Sequence, residues 1–342
     1  MISWKMVTPT IKWVAALDIG ATHVSAGLVS SAGEIREPRE IVSRDLENPK
    51  PLRVRLLELA RGLIERAEET GVSLAGIGVG CPGIVDADKG ILVVAGNLPE
   101  LMGLPLGPEL QDEFGLPAHI ENDVNAQALG EMLFGVARGI KNFVIFSIGT
   151  DLGGGIVSDG RLHRGAHNIE AEFGHLTLDL DGKSCVCGGY GCAREYVSGA
   201  GIADRARELL SDSSAVCKAV KGERPKITAR TLFAAGRDLD PEAVKLIEQF
   251  TKRFGAVIAN VMKVLDPEMV VLAGEIMRRE PQLIHDIVHW TRHFYFPLPQ
   301  LPDFRVSELT KETAILGPAA AYFIANNIPA GPEHHRAHGH KG

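Results

Sequence analysis

Val14-Ala15-Ala16-Leu17-Asp18-Ile19-Gly20-Ala21-Thr22-His23-Val24 is the stretch on which the fold turns. Its first half is an apolar run closed by a glycine. A second apolar run, Val24 to Val29, follows a short turn, so the segment predicts a β-hairpin with glycine at its bend. The layout recurs further along. Phe143-Val144-Ile145-Phe146-Ser147-Ile148 leads into Gly149-Thr150-Asp151-Leu152-Gly153-Gly154-Gly155 and then Ile156-Val157. One glycine-rich turn is most often only a tight turn. Two, each led by an apolar strand, point to a phosphate clamp, because backbone N–H groups in such turns reach phosphate oxygens with no side chain in the way.

Around the hairpins the chain alternates helix and strand patterns. Leu56, Leu59, Leu63, Ile64 and Ala67 fall at helical spacing within 52–70, and Gly71 stops that helix. Residues 75–80 predict a buried strand broken by Cys81-Pro82-Gly83. Asn122 is placed to cap a helix through Val124, Ala128, Leu129 and Met132. Glu121 and Asp123 stand at its start, where the helix dipole keeps Asp123 ionised. A long helix over 242–265 ends at Asp266-Pro267 and is followed by a strand, Met269 to Ala273, before Gly274. A last helix near 313–326 contains Pro318, which predicts a kink. From Pro329 the composition, with His334, His335, His338 and His340, predicts a disordered tail.

Composition excludes several classes of function. A chain of 342 residues predicts two domains, and its 45% hydrophobic and 23% charged residues suit a soluble globular protein. The formal charge is −7, and Lys and Arg are scattered with no basic run fit for nucleic acid or a membrane surface. The N-terminus lacks a signal-peptide layout, and no apolar run approaches the roughly 20 residues of a membrane helix. The chain therefore reads as cytoplasmic. Of five cysteines, Cys185, Cys187 and Cys192 crowd into eight positions. In an intracellular chain this suits metal better than disulfides. With His175 upstream, Cys185-x-Cys187-x4-Cys192 supplies the three thiolates and one imidazole of a closed structural Zn2+ site. One ring nitrogen of His175 can bind the metal while the other donates a hydrogen bond, so the metal would fix the ring's orientation.

Several of these segments also carry a family resemblance. Asp18-Ile19-Gly20-Ala21-Thr22 resembles the first phosphate motif of the actin-like ATPase superfamily, Gly149 to Gly155 its second, and Val271-Leu272-Ala273-Gly274 its adenosine motif. Within that superfamily the chain resembles the ROK group of repressors and sugar kinases, glucokinase-type enzymes above all, from about residue 13 to residue 325. The supporting motifs are Cys81-Pro82-Gly83-Ile84-Val85-Asp86, Gly96-Asn97-Leu98-Pro99, Glu121-Asn122-Asp123-Val124-Asn125-Ala126, Glu172-Phe173-Gly174-His175 and Cys185 to Cys192.

The resemblance implies an α/β fold of two ribonuclease-H-like domains flanking a central cleft that closes over ATP with Mg2+. Residues 1–119 with 312–330 would form a small domain. Residues 120–311 would form a large one, and 331–342 a His-rich tail. It implies an ATP-dependent hexose kinase, glucose at the 6-position being the default, with Asp123 as the base that takes the hydroxyl proton. It nominates Asn97, Asn122, Glu172, His175 and Glu195 for the sugar. For the nucleotide it nominates Asp18, Gly20, Ala21, Thr22, Gly149, Thr150, Gly153, Gly154 and Gly274. Family analogy implies a homo-oligomer, a dimer or tetramer. The alternatives are a kinase for N-acetylmannosamine or N-acetylglucosamine, a catalytically silent sugar-binding protein, or a sugar-sensing regulator. With only about a dozen residues before the first strand, a DNA-binding role is not expected.

Two acids stand out against the family pattern. Asp151 occupies a customary glycine position inside the second phosphate motif, and Glu275 another beside the adenosine motif. A carboxylate there repels phosphates unless it points outward or meets Mg2+.

Overall fold

The computed structural model describes residues 11–44, 50–95, 98–297 and 300–330. The chain divides into two compact units, one of residues 1–138 with 309–342 and the other of 139–308.

In the first unit, β1 (Trp13–Ile19) and β2 (His23–Ser30) form the expected hairpin, with β3 (Ile35–Val42) added antiparallel along β2. The near-continuous apolar run of β1 has a physical reason: both its faces are covered. Ala15, Leu17 and Ile19 enter one core with Leu56, Leu59 and Leu63 of α1 (Leu52–Glu69). Val14 and Ala16 enter another with Leu316, Ala319, Tyr322 and Phe323 of the C-terminal helix, Leu316–Ala325. Edge strand β3 alternates half-buried and exposed residues and carries Pro38, a residue that edges tolerate.

β4 (Leu74–Cys81) lies parallel to β1, and a small ribbon of β5 (Ile84–Asp86) and β6 (Ile91–Val94) follows it. Then come α2 (Leu106–Phe114), β7 (Ala118–Asn122) parallel to β4, and α3 (Asp123–Phe134). The sheet order is β3-β2-β1-β4-β7. Glycines of β4 admit the C-terminal helix at backbone distance. A Cβ on Gly78 would run into the Pro318 carbonyl, and one on Gly76 into Tyr322 and the Pro117 carbonyl.

The second unit repeats the pattern. β8 (Phe143–Ile148) and β9 (Leu152–Ser158) form the second hairpin, extended by β10 (Arg161–Leu162). Helices α4 (Arg194–Val197), α5 (Gly199–Leu209), α6 (Ala215–Ala219), α7 (Ala229–Arg237) and α8 (Pro241–Leu265) precede β11 (Met269–Ala273), which lies parallel to β8. α9 (Gly274–Arg279), α10 (Leu283–Phe294) and β12 (Asp303–Val306) complete it, with sheet order β10-β9-β8-β11-β12. Asp240 caps α8, and Asp266 ends it in a left-handed conformation, as the Asp-Pro break predicts. Phe146, Phe173, Phe250 and Phe254 are part of the core between sheet and helices.

Two expectations shift. The boundaries expected at 119/120 and 311/312 fall instead at 138/139 and 308/309. β7 pairs with β4 from Ala118 to Asn122, and α3 packs through Gly130 on Gly317, so residues 120–138, Asp123 included, sit in the first unit. The kink expected at Pro318 is absent because the helix starts at Leu316. Pro318 therefore lies in its first turn, where the missing N–H has no intrahelical acceptor to lose. The expected His-rich tail, 331–342, lies outside the described residues. No described helix is long and apolar enough to cross a membrane.

Candidate functional site

In the first unit the parallel strands β1, β4 and β7 end side by side, with Asp18 opposite Gly80 and Cys81 opposite Asn122. The carboxyl ends of such strands are where open α/β sheets bind ligands. The turn after β1 is tied down on both sides. Gly20 N–H donates to the His23 carbonyl at 2.8 Å, and Ser43 donates its hydroxyl to the Gly20 carbonyl at 2.6 Å and its N–H to the Thr22 carbonyl at 2.8 Å. A pocket lined by Ala21, Thr22, His23, Val42 and Arg44 opens there. Burial pushes the Asp18 carboxyl up to about 6. Gly80 leaves it room: a Cβ there would stand 3.2 Å from Asp18 Oδ1. The Cys81 thiol, wholly buried, is pushed well up by burial and then by the charges of Asp123 and Asp18, so both carboxylates act on the same sulfur.

Asn122 caps α3 as its sequence position predicts. Its Oδ1 accepts from the N–H groups of Val124 and Asn125, both at 3.0 Å, and its Nδ2 donates to the Gly83 carbonyl at 2.9 Å. The residue expected to meet sugar thus also fastens the Cys81-Pro82-Gly83 bend to the start of α3. Asp123 is the first residue of α3, with Oδ1 2.9 Å from Val124 N–H. Behind them, buried Glu121 accepts the Asn122 N–H at 3.0 Å. Asn97, expected at the sugar, lies outside the described residues.

In the second unit, Gly149 N–H donates to the Asp151 carbonyl at 3.0 Å and closes the turn between β8 and β9. The turn is anchored to the start of α5, where Gly199 N–H donates to the Gly149 carbonyl at 2.9 Å and Ala200 N–H to the Thr150 carbonyl at 3.0 Å. Gly153 and Gly154 pair with Ser147 and Phe146, and a Cβ on Gly154 would collide with Phe173 and the Ala171 carbonyl. Gly274 has φ +90°, and a Cβ there would strike the Ile148 backbone, so the adenosine-like motif closes on the end of β8 through its glycine. Both anomalous acids are held by arginines. Asp151 Oδ1 lies 2.8 Å from Arg194 Nε, and Glu275 Oε1 lies 2.7 Å from Arg279 Nε.

Phe173–His175 is a single 3-10 turn closed by His175 N–H on the Glu172 carbonyl at 2.9 Å. It sets Glu172 Oε2 3.9 Å from His175 Nε2. Burial raises the Glu172 carboxyl, His175 pulls it back, and Asp151 and Glu170 raise it again. The other ring nitrogen, Nδ1, lies 3.6 Å from Cys185 Sγ, and Cys187 Sγ lies 3.6 Å from Cys192 Sγ. All four ligand atoms fall within 4.8 Å of one another.

These spacings match what a tetrahedral ion needs, since metal–sulfur bonds of about 2.3 Å place sulfurs about 3.8 Å apart. The loop backbone allows the convergence: Gly188 and Gly191 have φ +88° and +59°, and a Cβ on Gly191 would strike the Asp179 carbonyl. Gly189 N–H and then Cys192 draw the Cys187 thiol down to about 7, while burial pushes Cys192 up to about 12. A bound cation would offset that second cost. Glu195 sits in the first turn of α4, its N–H on the Cys192 carbonyl at 3.0 Å. Among the described residues, no hydrogen bond or ion pair joins its side chain to Glu172 or His175. Its neighbour Arg194, not singled out by sequence, is the residue that reaches the phosphate-like turn. The intrusive acid at 151 is the one sequence signal that could have flagged a compensating base.

The family model described as "ROK family" matches residues 14–324. A glucokinase from Thermotoga maritima is 34% identical over 274 residues, covering 79% of this chain and 84% of that one. The crystal structure of a ROK family glucokinase from Streptomyces griseus, in complex with glucose and AMPPNP, superposes with a TM-score of 0.75 at 26% identity over 90% of this chain and 98% of that one. A xylose repressor from Caldicellulosiruptor bescii is 28% identical over 77% of this chain, which spans 65% of the repressor's length.

Proposed function

The chain belongs to the ROK family, and from that premise we propose that it is an ATP-dependent sugar kinase of the glucokinase type, with glucose at its 6-hydroxyl as the first substrate to test. The observation that carries this reading is the placement of Asp123. It is a carboxylate at the capped start of α3, where strands β1, β4 and β7 end and where Asp18 stands one residue before Ile19, the last of β1.

In this reading Asp123 takes the proton of the attacking hydroxyl, a role worth about 10²–10⁴-fold in rate. Its position at a helix N-terminus favours the ionised form the step needs. Glu172 and His175 bind sugar hydroxyls, and the Gly149–Leu152 turn presents to phosphate the N–H groups of Thr150 and Asp151, since those of Gly149 and Leu152 donate to Asp151. Mg2+, when bound, spreads the charge that develops on the γ-phosphoryl oxygens. Asp18, whose carboxyl burial raises to about 6, is the acid suited to face that ion or its water. His175, Cys185, Cys187 and Cys192 fit Zn2+ as a closed structural site, which fixes His175 through Nδ1 and leaves Nε2 beside Glu172.

The deciding assay follows ADP release over a panel of hexoses, N-acetylated hexosamines and xylose. Turnover is expected with glucose and should fall at least about 100-fold in Asp123→Ala, with glucose still bound. Wild-type turnover in that variant refutes the base. The likeness to a xylose repressor favours one second reading, sugar sensing without turnover, and sugar binding with no ADP release from any sugar would select it.

A further inference from the structure

A glycine in the second phosphate-like turn would need no partner, but this chain has Asp151 there and holds it at two points. Oδ1 accepts the Leu152 N–H at 2.8 Å and lies 2.8 Å from Arg194 Nε. Arg194 comes from the first turn of α4, 43 positions further along. Its side chain is only 16% exposed against 46% for Asp151, so the cation is set into the protein and the acid stands at the rim of the turn. The backbone of α4 leads directly into α5, whose first residues tie down the Gly149 and Thr150 carbonyls. Side chain and backbone from one segment therefore secure one turn.

We propose that Asp151 and Arg194 act as a matched pair in which Arg194 is a positioning residue, cancelling the charge of Asp151 so that the turn accepts the nucleotide's phosphates. A bare carboxylate within a few ångströms of a phosphate repels it strongly in a half-buried setting, and removing the guanidinium would leave one there. Cys185 also interacts with the Arg194 guanidinium, so the alternative to be separated is a purely structural prop for the cysteine loop. The inference rests on the Gly149–Gly155 turn binding nucleotide, as the kinase reading has it.

The test is a double-mutant cycle on the full chain with Arg194→Met, Asp151→Asn and the pair combined. Asparagine keeps an acceptor for Leu152 N–H while removing the charge. The readouts are MgADP affinity by calorimetry, KM for ATP against KM for glucose, bound zinc, and the thermal midpoint.

Arg194→Met should weaken MgADP binding about tenfold or more and raise KM for ATP but not for glucose, with zinc content unchanged. Adding Asp151→Asn should restore most of that affinity. A combined variant as weak as Arg194→Met overturns the pairing, as does full MgADP affinity in Arg194→Met. Loss of zinc without rescue assigns Arg194 to the cysteine loop instead. Wild-type protein that does not bind MgADP overturns the nucleotide reading, and this inference with it. Wild-type binding without rescue overturns the pairing alone.

Discussion

Asp18 is a residue whose charge state responds to its surroundings. Its carboxyl titrates near 6 in the folded chain against 3.8 as its ordinary value. Between those values the folded state holds a proton that the unfolded state has released. Stability from this group is therefore full below pH 3.8, falls as pH rises through about 6, and changes little above it. The shift corresponds to at most about 3 kcal/mol. Asp18→Asn should flatten that decline, and urea midpoints from pH 4 to 7 for both proteins check it; parallel curves would count against an acid raised by desolvation. Residue roles are legible where chemistry and local geometry coincide. Asn122 announces its capping role because an Asx side chain before an apolar helix has few other uses. Arg194 does not announce itself, because an ion pair across 43 positions leaves no periodic trace.

At the scale of elements, glycines on β4 and cysteines around the knot make opposite demands on space. Gly78 is required by contact, since the C-terminal helix crosses it at backbone distance. Gly78→Ala should destabilise the first unit by about 1–3 kcal/mol, read as a lower denaturant midpoint. The cysteine loop is instead short of apolar filling: Val186 and Tyr190 are exposed, and the four ligand atoms converge where a core would otherwise be. Purified protein should therefore carry one tightly held zinc per chain, and stripping it with a strong chelator should lower sugar affinity and thermal midpoint together. An active, fully folded metal-free protein would end that assignment. The knot is legible because ligand spacing is local. The reason for the β4 glycines is not, because the helix they admit is encoded more than 200 residues later.

At the scale of the molecule, each unit builds one five-stranded sheet in the same order, an antiparallel edge strand, a hairpin and two parallel strands. The paired hairpins make that duplication legible. The boundary at 138/139 is not, because β7 carries polar His119 and Glu121 and joins the first sheet only through parallel pairing with distant β4. Ending the chain at residue 308 should deprive the first unit of Ile315, Leu316, Tyr322 and Phe323, which pack on Val14 and Ala16. That truncation should abolish cooperative unfolding of the first unit in calorimetry and open it to proteolysis, whereas retained protection would mean the helix is dispensable.

The same discontinuity governs assembly during translation. The sheet of β1, β2 and β4 emerges early, but the helix that covers its Gly76–Gly80 side is the last described element to leave the ribosome. For the whole time that the second unit is being made, an apolar sheet face waits uncovered. In the cell, the first half of this chain is therefore where chaperones should be found waiting.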